Sequence, residues 1–215
     1  MTIRTFLVDD HALVRTGIRM ILSGEVDIDI IGEAESGEQA LPRIRELKPD
    51  VVVCDMHLPG ISGLEVTERI MKGEYGAHVV IVSVLEDGPI PKRVLAAGAS
   101  AYVGKGGNPV ELVEAVREAA RGRRYLGSGV AQNLALSNLG GDATPFDGLT
   151  RRELEVAMLL LQGLRQEDVA RRLSLSAKTV NTHKSRLFQK LGIDDGMSLA
   201  RLARQYGLAD PARAG

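Results

Sequence analysis

Five short apolar runs alternate with stretches of helical spacing, and this alternation limits the folds open to the first part of the chain. The central run, residues 51–55, ends at Asp55 and is followed by a Pro59-Gly60 turn, as is typical of a buried parallel strand. The predicted strands are residues 5–8, 28–31, 51–55, 79–82 and 101–105, and the predicted helices are 11–22, one opening at 36, 63–71, 91–97 and 108–121. Such a (βα)5 alternation places helices on both faces of one sheet. We therefore predict a doubly wound parallel α/β domain over residues 1–122.

Two of these helices also carry recognisable start signals. Ser36 is followed three residues later by Gln39, which is a capping-box pattern. Asn108 is a favourable N-cap, Pro109 suits the first helical position, and Glu111 completes a second capping box. These signals favour helices over loops after the second and fifth strands.

Polar side chains stand where four of the predicted strands end. Asp9 and Asp10 follow the first strand, Asp55 ends the third, Ser83 follows the fourth and Lys105 ends the fifth. The carboxyl ends of parallel strands share one edge of a sheet, where ligands bind. Carboxylates that converge repel one another unless a cation lies among them, and hard oxygen ligands favour Mg²⁺. A lysine and a hydroxyl in the same pocket suit an added phosphoryl group.

With these residues in this order, the segment resembles a response-regulator receiver domain of the flavodoxin/CheY-like fold. The resemblance implies that Asp55 is the phosphoacceptor. It also implies that Asp10, Asp55 and the backbone carbonyl of His57 bind Mg²⁺, with Asp9 ligating through water. The His57 side chain is expected to take no part.

The same resemblance assigns roles to three further residues. Lys105 is expected to pair with the phosphoryl oxygens, Ser83 to move and donate a hydrogen bond to them, and Tyr102 then to rotate inward. One position departs from the pattern, because receivers often have proline after the lysine, with a cis peptide, and here Gly106 follows. A cis bond before a residue other than proline costs roughly 2.5 to 4 kcal/mol, which leaves the geometry of that peptide open.

The charge of the chain is unevenly distributed between its two halves. Residues 1–122 carry 13 Lys and Arg against 19 Asp and Glu, a net charge of -6, whereas residues 123–215 carry 14 against 9, or +5. This asymmetry suggests an acidic module joined to one that meets a polyanion. Gly, Ser, Asn and Asp are frequent over residues 127–148, so we predict a linker at 123–146 in which residues 130–136 are a candidate short helix.

A run of helices is predicted after this linker. Thr150 and Glu153 form a capping box, and the predicted helices run from 150 to Gly163 and over 167–173, 177–191 and 198–206. Residues 178–190 hold four Lys and Arg and no acidic residue, on a helix whose Val180, Leu187 and Leu191 form a buried stripe. That face suits the phosphates and base edges of a DNA major groove.

The spacing of these residues strongly resembles a LuxR-type helix-turn-helix, an all-α four-helix domain, over residues 147–208, with a tail at 209–215. It is carried by Leu149-Thr150-x-Arg152-Glu153, Gly163, Val169-Ala170-x-x-Leu173, Lys178-Thr179-Val180-x-x-His183 and Lys190-Leu191-Gly192. The resemblance implies that Asn181, Thr182 and Ser185 read bases and that Lys178, Lys184 and Arg186 contact phosphates. Together the two domains resemble the NarL/FixJ family of two-component response regulators. Pro89-Ile90-Pro91, Leu164-Arg165-Gln166 and the residues after Leu191 are similar to its GacA/UvrY branch.

The resemblance implies a transcription regulator rather than an enzyme. A sensor histidine kinase or phosphotransfer protein would phosphorylate Asp55, and the active form would bind an inverted repeat in promoter DNA as a homodimer. The branch answers a hybrid sensor kinase and activates small regulatory RNA genes, and RNA polymerase is a further candidate partner. Two other readings remain open. One is an orphan regulator that binds DNA without phosphorylation. The other is an aspartyl-phosphate phosphatase of the dehalogenase type, which needs a second carboxylate where this chain has His57.

Composition also bears on localisation. The single cysteine, Cys54, excludes a disulfide framework and favours a reducing compartment. No apolar run approaches the roughly 18 residues that span a bilayer, and the N-terminus shows no signal-peptide pattern. We therefore expect a cytoplasmic protein with no membrane partner.

Overall fold

The computed structural model describes residues 2–73, 75–139, 144–161 and 163–206. These residues form two compact units. The first contains the described residues up to 86 together with 90–135, and the second contains 87–89 and the described residues from 136 to 206. The predicted tail at 209–215 and the last two residues of the predicted helix-turn-helix domain lie outside the described residues.

The first unit is built on a parallel sheet with the strand order β2-β1-β3-β4-β5-β6. Its strands are β1 Ile3–Val8, β2 Ile28–Ala34, β3 Val51–Asp55, β4 His78–Ser83, β5 Ala101–Gly104 and β6 Tyr125–Leu126. The five predicted strands and the parallel α/β class are confirmed. The prediction of β2 was three residues too short, because this strand lies at the sheet edge, where half-buried residues weaken the apolar pattern.

Five helices connect the strands. They are α1 Ala12–Ser23, α2 Gly37–Leu47, α3 Gly63–Lys72, α4 Pro89–Ala96 and α5 Pro109–Ala120. The Ser36 side chain accepts the N–H of Gln39, and the Asn108 side chain accepts the N–H of Val110, so both predicted N-caps are present. The capping box predicted at Ser36 is only half formed, because the side-chain oxygen of Gln39 accepts the N–H of Glu35 rather than that of Ser36. Helix α4 begins two residues before the predicted start.

The sheet carries buried side chains on both faces. On one face, residues of β1, β3, β4 and β5 pack with apolar residues of α1 and α5 in a single cluster, which includes Leu7, Leu22, Val53, Val82 and Val116. The alternate residues of the strands point to the other face, and there Phe6, Val52, Cys54, Ile81 and Tyr102 are also fully buried. Every residue of β3 is buried, which explains its continuous apolar run and fixes Asp55 at the end of the most enclosed strand.

The segment predicted as a linker contains ordered structure. Strand β6 pairs in parallel with β5, so the sheet has six strands rather than the five expected from the sequence. Helix α6 follows at Ser128–Leu139, longer than the predicted residues 130–136. A carboxylate oxygen of Glu111, predicted to cap its own helix, accepts the N–H of Ser128 at 3.1 Å. Residues 123–135 thus belong to the first unit. The sequence does not predict this, because a strand of only two residues, β6, leaves no recognisable apolar run.

The second unit is helical. After a 3-10 turn at Pro145–Gly148 come α7 Arg151–Leu161, α8 Gln166–Arg172, α9 Ala177–Leu191 and α10 Gly196–Gln205. Both halves of the predicted capping box are present, since Glu153 accepts the N–H of Thr150 and Thr150 accepts the N–H of Glu153. The fully enclosed side chains of this core come from the 3-10 turn and all four helices, and include Phe146, Val156, Val169, Leu187 and Ala203.

Candidate functional site

Four parallel strands of the first unit bring chemically active side chains to one edge. Asp9 and Asp10 follow β1, Asp55 ends β3, Ser83 ends β4 and Lys105 follows β5 directly. The central strands are hydrogen-bonded neighbours in the order β1-β3-β4-β5. Residues far apart in the sequence therefore meet because every strand delivers its carboxyl end to the same edge.

Lys105 joins two of the carboxylates. Its Nζ atom lies 2.9 Å from Oδ2 of Asp9 and 3.0 Å from Oδ1 of Asp55. The two aspartate side chains are 3% exposed and the lysine side chain is 14% exposed. The ion triad is thus largely removed from water, where charge interactions are much stronger than at the surface.

The pKa values in this triad follow from burial and from the mutual charges. Burial raises the pKa of Asp55 above its ordinary value; the positive charge of Lys105 opposes this rise, and Asp9 adds to it. Burial alone would lower the pKa of Lys105, but the charge of Asp55 and the hydrogen bond to Asp9 outweigh it, so the pKa of the lysine is raised. Lys105 therefore stays protonated and balances carboxylates that would otherwise repel one another.

The acidic residues also form a set that could hold a metal ion. Ligand atoms of Asp9, Asp10, Asp55 and His11 all lie within 4.8 Å of one another. Three carboxylates of this kind fit a hard divalent cation such as Mg²⁺, which prefers oxygen ligands and keeps several waters. The strand-end pattern predicts the three aspartates but not His11, which the sequence indicates only as the start of a helix.

His11 and His57 contact the acidic residues in different ways. His11 Nδ1 lies 3.1 Å from Oδ1 of Asp10, and the backbone N–H of His11 donates to Asp9 at 2.8 Å. At His57 it is the backbone N–H that hydrogen-bonds to the Asp55 carboxylate, while the His57 side chain is half-buried. The predicted role of the His57 carbonyl as a metal ligand remains a prediction. The Lys105–Gly106 peptide bond, whose geometry the sequence left open, is trans.

Ser83 and Tyr102, the predicted switch residues, both contact the backbone of Leu85. The Ser83 hydroxyl accepts the N–H of Leu85 at 3.2 Å, and the Tyr102 hydroxyl donates to the carbonyl of Leu85 at 2.6 Å. Both side chains are fully buried. Tyr102 is thus buried with its hydroxyl on the carbonyl of Leu85, and the predicted movements of Ser83 and Tyr102 remain predictions.

In the second unit, α9 presents a polar face to solvent. Lys178, Asn181, Thr182 and Ser185 are exposed and recur at the spacing of one helix face. Exposed Gln189 continues this face one turn further. It is not among the predicted DNA contacts, although its position four residues after Ser185 places it on the same helix face.

The two remaining predicted DNA contacts flank this face. Arg186 is exposed, whereas Lys184 is half-buried. The Lys184 ammonium lies 5.3 Å from the ring centroid of Phe188. Among the six predicted DNA contacts, Lys184 is therefore the least accessible.

The start of α9 is held firmly to its neighbours. The Ser176 side chain accepts the N–H of Thr179 at 3.0 Å, which caps the helix. Gln166, the first residue of α8, donates from its side-chain amide to the carbonyl of Ala177 at 2.9 Å. Helices α8 and α9 with this short turn form a helix-turn-helix, in which the second helix can enter a major groove.

Each of the two structural units matches a known protein family. Residues 5–117 match the response regulator receiver domain, and residues 147–203 match the bacterial regulatory proteins of the luxR family. A receiver followed by such a domain defines a DNA-binding response regulator. The chain belongs to the LuxR-type response regulators of two-component systems, and its receiver implies phosphorylation on an aspartate.

Individual relatives cover nearly the whole chain. The response regulator GacA of Pseudomonas viridiflava is 42% identical over 210 residues, which are 97% of this chain and 98% of that protein. The response regulator UvrY of Escherichia coli K12 is 40% identical over 210 residues, 97% and 96% of the two chains. The chain is thus similar to the GacA and UvrY regulators, as the sequence predicted.

Solved structures show the same architecture. A LuxR-family two-component response regulator from Aurantimonas sp. SI85-9A1 is 34% identical, with a TM-score of 0.62 over 65% of this chain and 99% of that one. RcsB of Salmonella typhimurium is 22% identical, with a TM-score of 0.76 over 96% and 99% of the two chains, and supports the fold. Among the described residues, no helix has the length and apolar character needed to cross a bilayer.

Proposed function

We propose that Asp55 accepts a phosphoryl group from a sensor histidine kinase or phosphotransfer protein, and that this reaction controls the binding of α9 to promoter DNA. The observation that carries the proposal is the buried contact of Lys105 with both Asp9 and Asp55. It places a cation beside the carboxylate that would become phosphorylated.

The residues of the sheet edge divide the chemistry between them. An oxygen of Asp55 would form a bond to phosphorus while the bond from phosphorus to a histidine nitrogen of the donor breaks, and the electron pair would leave with that nitrogen. Lys105 Nζ lies 3.0 Å from the attacking carboxylate of Asp55. After transfer, its ammonium group would form an ion pair with the oxygens of the added phosphoryl group. The Ser83 hydroxyl, which now accepts from Leu85, would donate its own hydrogen to a phosphoryl oxygen.

Asp10, Asp55 and the backbone carbonyl of His57 would hold Mg²⁺ at this edge, with Asp9 ligating through water. The bound ion would neutralise charge on the carboxylates and on the entering phosphoryl group. His11 lies within reach of the same set and would orient Asp10 through its ring nitrogen.

The exposed face of α9 would carry sequence recognition. Asn181, Thr182 and Ser185 would read base edges, while Lys178, Lys184 and Arg186 would contact phosphates. The active form would be a cytoplasmic homodimer on an inverted repeat, because two-fold symmetric proteins match two-fold symmetric sites. By similarity to GacA, its targets would include small regulatory RNA genes, with RNA polymerase as the partner at the promoter.

The test combines labelling and DNA titration. Wild type, Asp55→Asn and the control Asp29→Asn, which changes an exposed aspartate of β2, are incubated with labelled acetyl phosphate and Mg²⁺. Each is then titrated onto a promoter fragment with an inverted repeat and onto a scrambled fragment. We expect wild type and D29N to be labelled and to bind the promoter more tightly after treatment, and D55N to do neither.

Two outcomes would contradict the proposal. Equal labelling of D55N would remove Asp55 as the acceptor. Equally tight promoter binding by all three proteins, with or without the phosphodonor, would instead favour an orphan regulator whose DNA binding is independent of phosphate.

A further inference from the structure

Arg15, on the second turn of α1, makes three separate contacts at the edge of the sheet. Its Nη1 atom donates to the backbone carbonyl of Asp9 at 2.6 Å, its Nε atom to Glu33 at 3.1 Å and its Nη2 atom to Glu35 at 3.0 Å. The arginine side chain is 13% exposed. We propose that Arg15 is a positioning residue that sets the geometry of the acidic pair Asp9 and Asp10 and thereby its affinity for Mg²⁺.

The carbonyl that Arg15 binds belongs to the peptide between the two aspartates. Rotation of that peptide would turn the backbone at both residues, and with it the directions of their carboxylates. The amide side of Asp9 is already fixed, since its N–H donates to the carbonyl of Ala34 at 3.2 Å. The hydrogen bond from Arg15 fixes the carbonyl side, so the backbone of Asp9 is held at both its amide and its carbonyl group.

The Arg15 guanidinium is also held in place by two carboxylates. Glu33 lies in β2 and Glu35 directly after it, so their carboxylates tie Arg15 to the neighbouring strand. Because the donors of a guanidinium are fixed in one plane, the two carboxylates also fix the direction of the hydrogen bond to the Asp9 carbonyl. The ammonium group of a lysine, on a flexible chain, would fix that direction less well. Groups of this kind, which do not touch the metal but orient its ligands, typically change metal affinity 10- to 100-fold when they are removed.

The local charges distinguish positioning from simple electrostatics. Removing a positive charge near three carboxylates would by Coulomb's law strengthen the binding of a cation. Loss of positioning predicts the opposite, namely weaker binding. The sign of the change in affinity therefore decides between the two effects.

Arg19, one turn further along α1, provides a matched control. Its Nη1 atom lies 2.9 Å from Glu33, and its Nη2 atom donates to Thr16 at 3.2 Å. It thus shares a carboxylate partner with Arg15 but makes no contact with the Asp9 carbonyl among those the structure gives. Arg19→Gln and Arg15→Gln remove the same charge from the same helix.

The experiment measures Mg²⁺ affinity on the full-length protein by competition with Mn²⁺, whose free concentration is followed by electron paramagnetic resonance. Thermal unfolding in metal-free buffer reports separately on any purely structural role. We expect Arg15→Gln to bind Mg²⁺ at least about tenfold more weakly than wild type, and Arg19→Gln to bind it as tightly or slightly more tightly. If Arg15→Gln does not fold, Arg15→Lys replaces it, with weaker Mg²⁺ binding than wild type again expected.

The inference rests on the proposed function, and Asp10→Asn separates the two. A wild type that binds no Mg²⁺, or binds it as well as Asp10→Asn does, overturns the proposed metal site and this inference with it. A wild type that binds Mg²⁺, with Asp10→Asn impaired and the Arg15 variant unimpaired, overturns the inference alone. A lowered melting temperature without weaker Mg²⁺ binding would likewise reduce Arg15 to a structural residue.

Discussion

Replacement of Lys105 by methionine tests the buried ion triad most directly. The lysine lies 2.9 and 3.0 Å from two carboxylates that are each 3% exposed. Without it, two buried negative charges lose their cation, and breaking a buried pair in this way typically costs about 3 to 5 kcal/mol. Because uptake of a proton by Asp55 can relieve part of this, we expect a loss of about 3 kcal/mol in the free energy of unfolding at pH 7 without Mg²⁺.

The pH dependence of this loss has a defined sign. Burial already raises the pKa of Asp55 in the folded protein, and removal of Lys105 raises it further. A carboxyl group whose pKa is higher in the folded state destabilises that state when it ionises. The penalty of Lys105→Met is therefore absent while Asp55 is protonated in both folded proteins, grows once the pH passes the raised pKa of Asp55 in the wild type, and levels off above the still higher pKa of the variant.

The assay is urea unfolding of the receiver transition, followed by circular dichroism because the chain contains no tryptophan. Lys92→Met, at an exposed position of α4, is the matched control. Mg²⁺ should restore much of the lost stability by replacing the missing positive charge. A loss below about 1 kcal/mol at pH 7, the size expected for an exposed pair, or a loss that does not vary with pH, would refute the reasoning.

Three further predictions concern the second unit. Thr182→Ala should weaken binding to the specific site more than to random DNA in parallel titrations; equal losses would argue against base reading at this residue. Burial would raise the pKa of Glu153, but hydrogen bonds from Lys190 and Thr150 outweigh it and lower that pKa. Glu153→Gln should therefore cost about 1 to 2 kcal/mol at neutral pH in urea unfolding, the size expected for a lost helix cap. That cost should shrink as the pH falls through the lowered pKa, because the wild-type protein then loses the same contacts. Phe146→Ala should cost about 3 to 5 kcal/mol in the same assay, since the ring is fully buried, and a near-neutral result would mean that this turn is not part of the core.

The sequence predicted the parallel sheet because its central strands are enclosed on both faces. Every residue of β3 is buried, and β4 is buried at all but its first residue, so these strands appear as unbroken apolar runs. Strand β2 has a neighbour on one side only and includes Gly32 and Glu33. Its last three residues were missed because partial burial at a sheet edge leaves little hydrophobic pattern to detect.

The candidate site was predictable where its chemistry depends on strand ends. Asp9, Asp10, Asp55 and Lys105 each follow or end an apolar run, and the parallel topology alone brings them together. His11 and Arg15 were missed for different reasons. His11 enters the cluster through the local turn after Asp10, and the contacts of Arg15 reach across to Glu33 and Glu35, 18 and 20 residues away. Periodicity carries no information about such pairings.

The pairing of β6 with β5 bears on where the receiver can be cut. In this structure the N–H of Tyr125 donates to Ser100 and the N–H of Gly127 donates to Tyr102. A fragment that ends at residue 122 would strip these partners from β5 and leave a hydrophobic strand with open hydrogen-bonding groups, a surface prone to aggregation. An isolated receiver should therefore extend to residue 135, and insolubility of a shorter fragment would reflect its exposed edge rather than an unstable core.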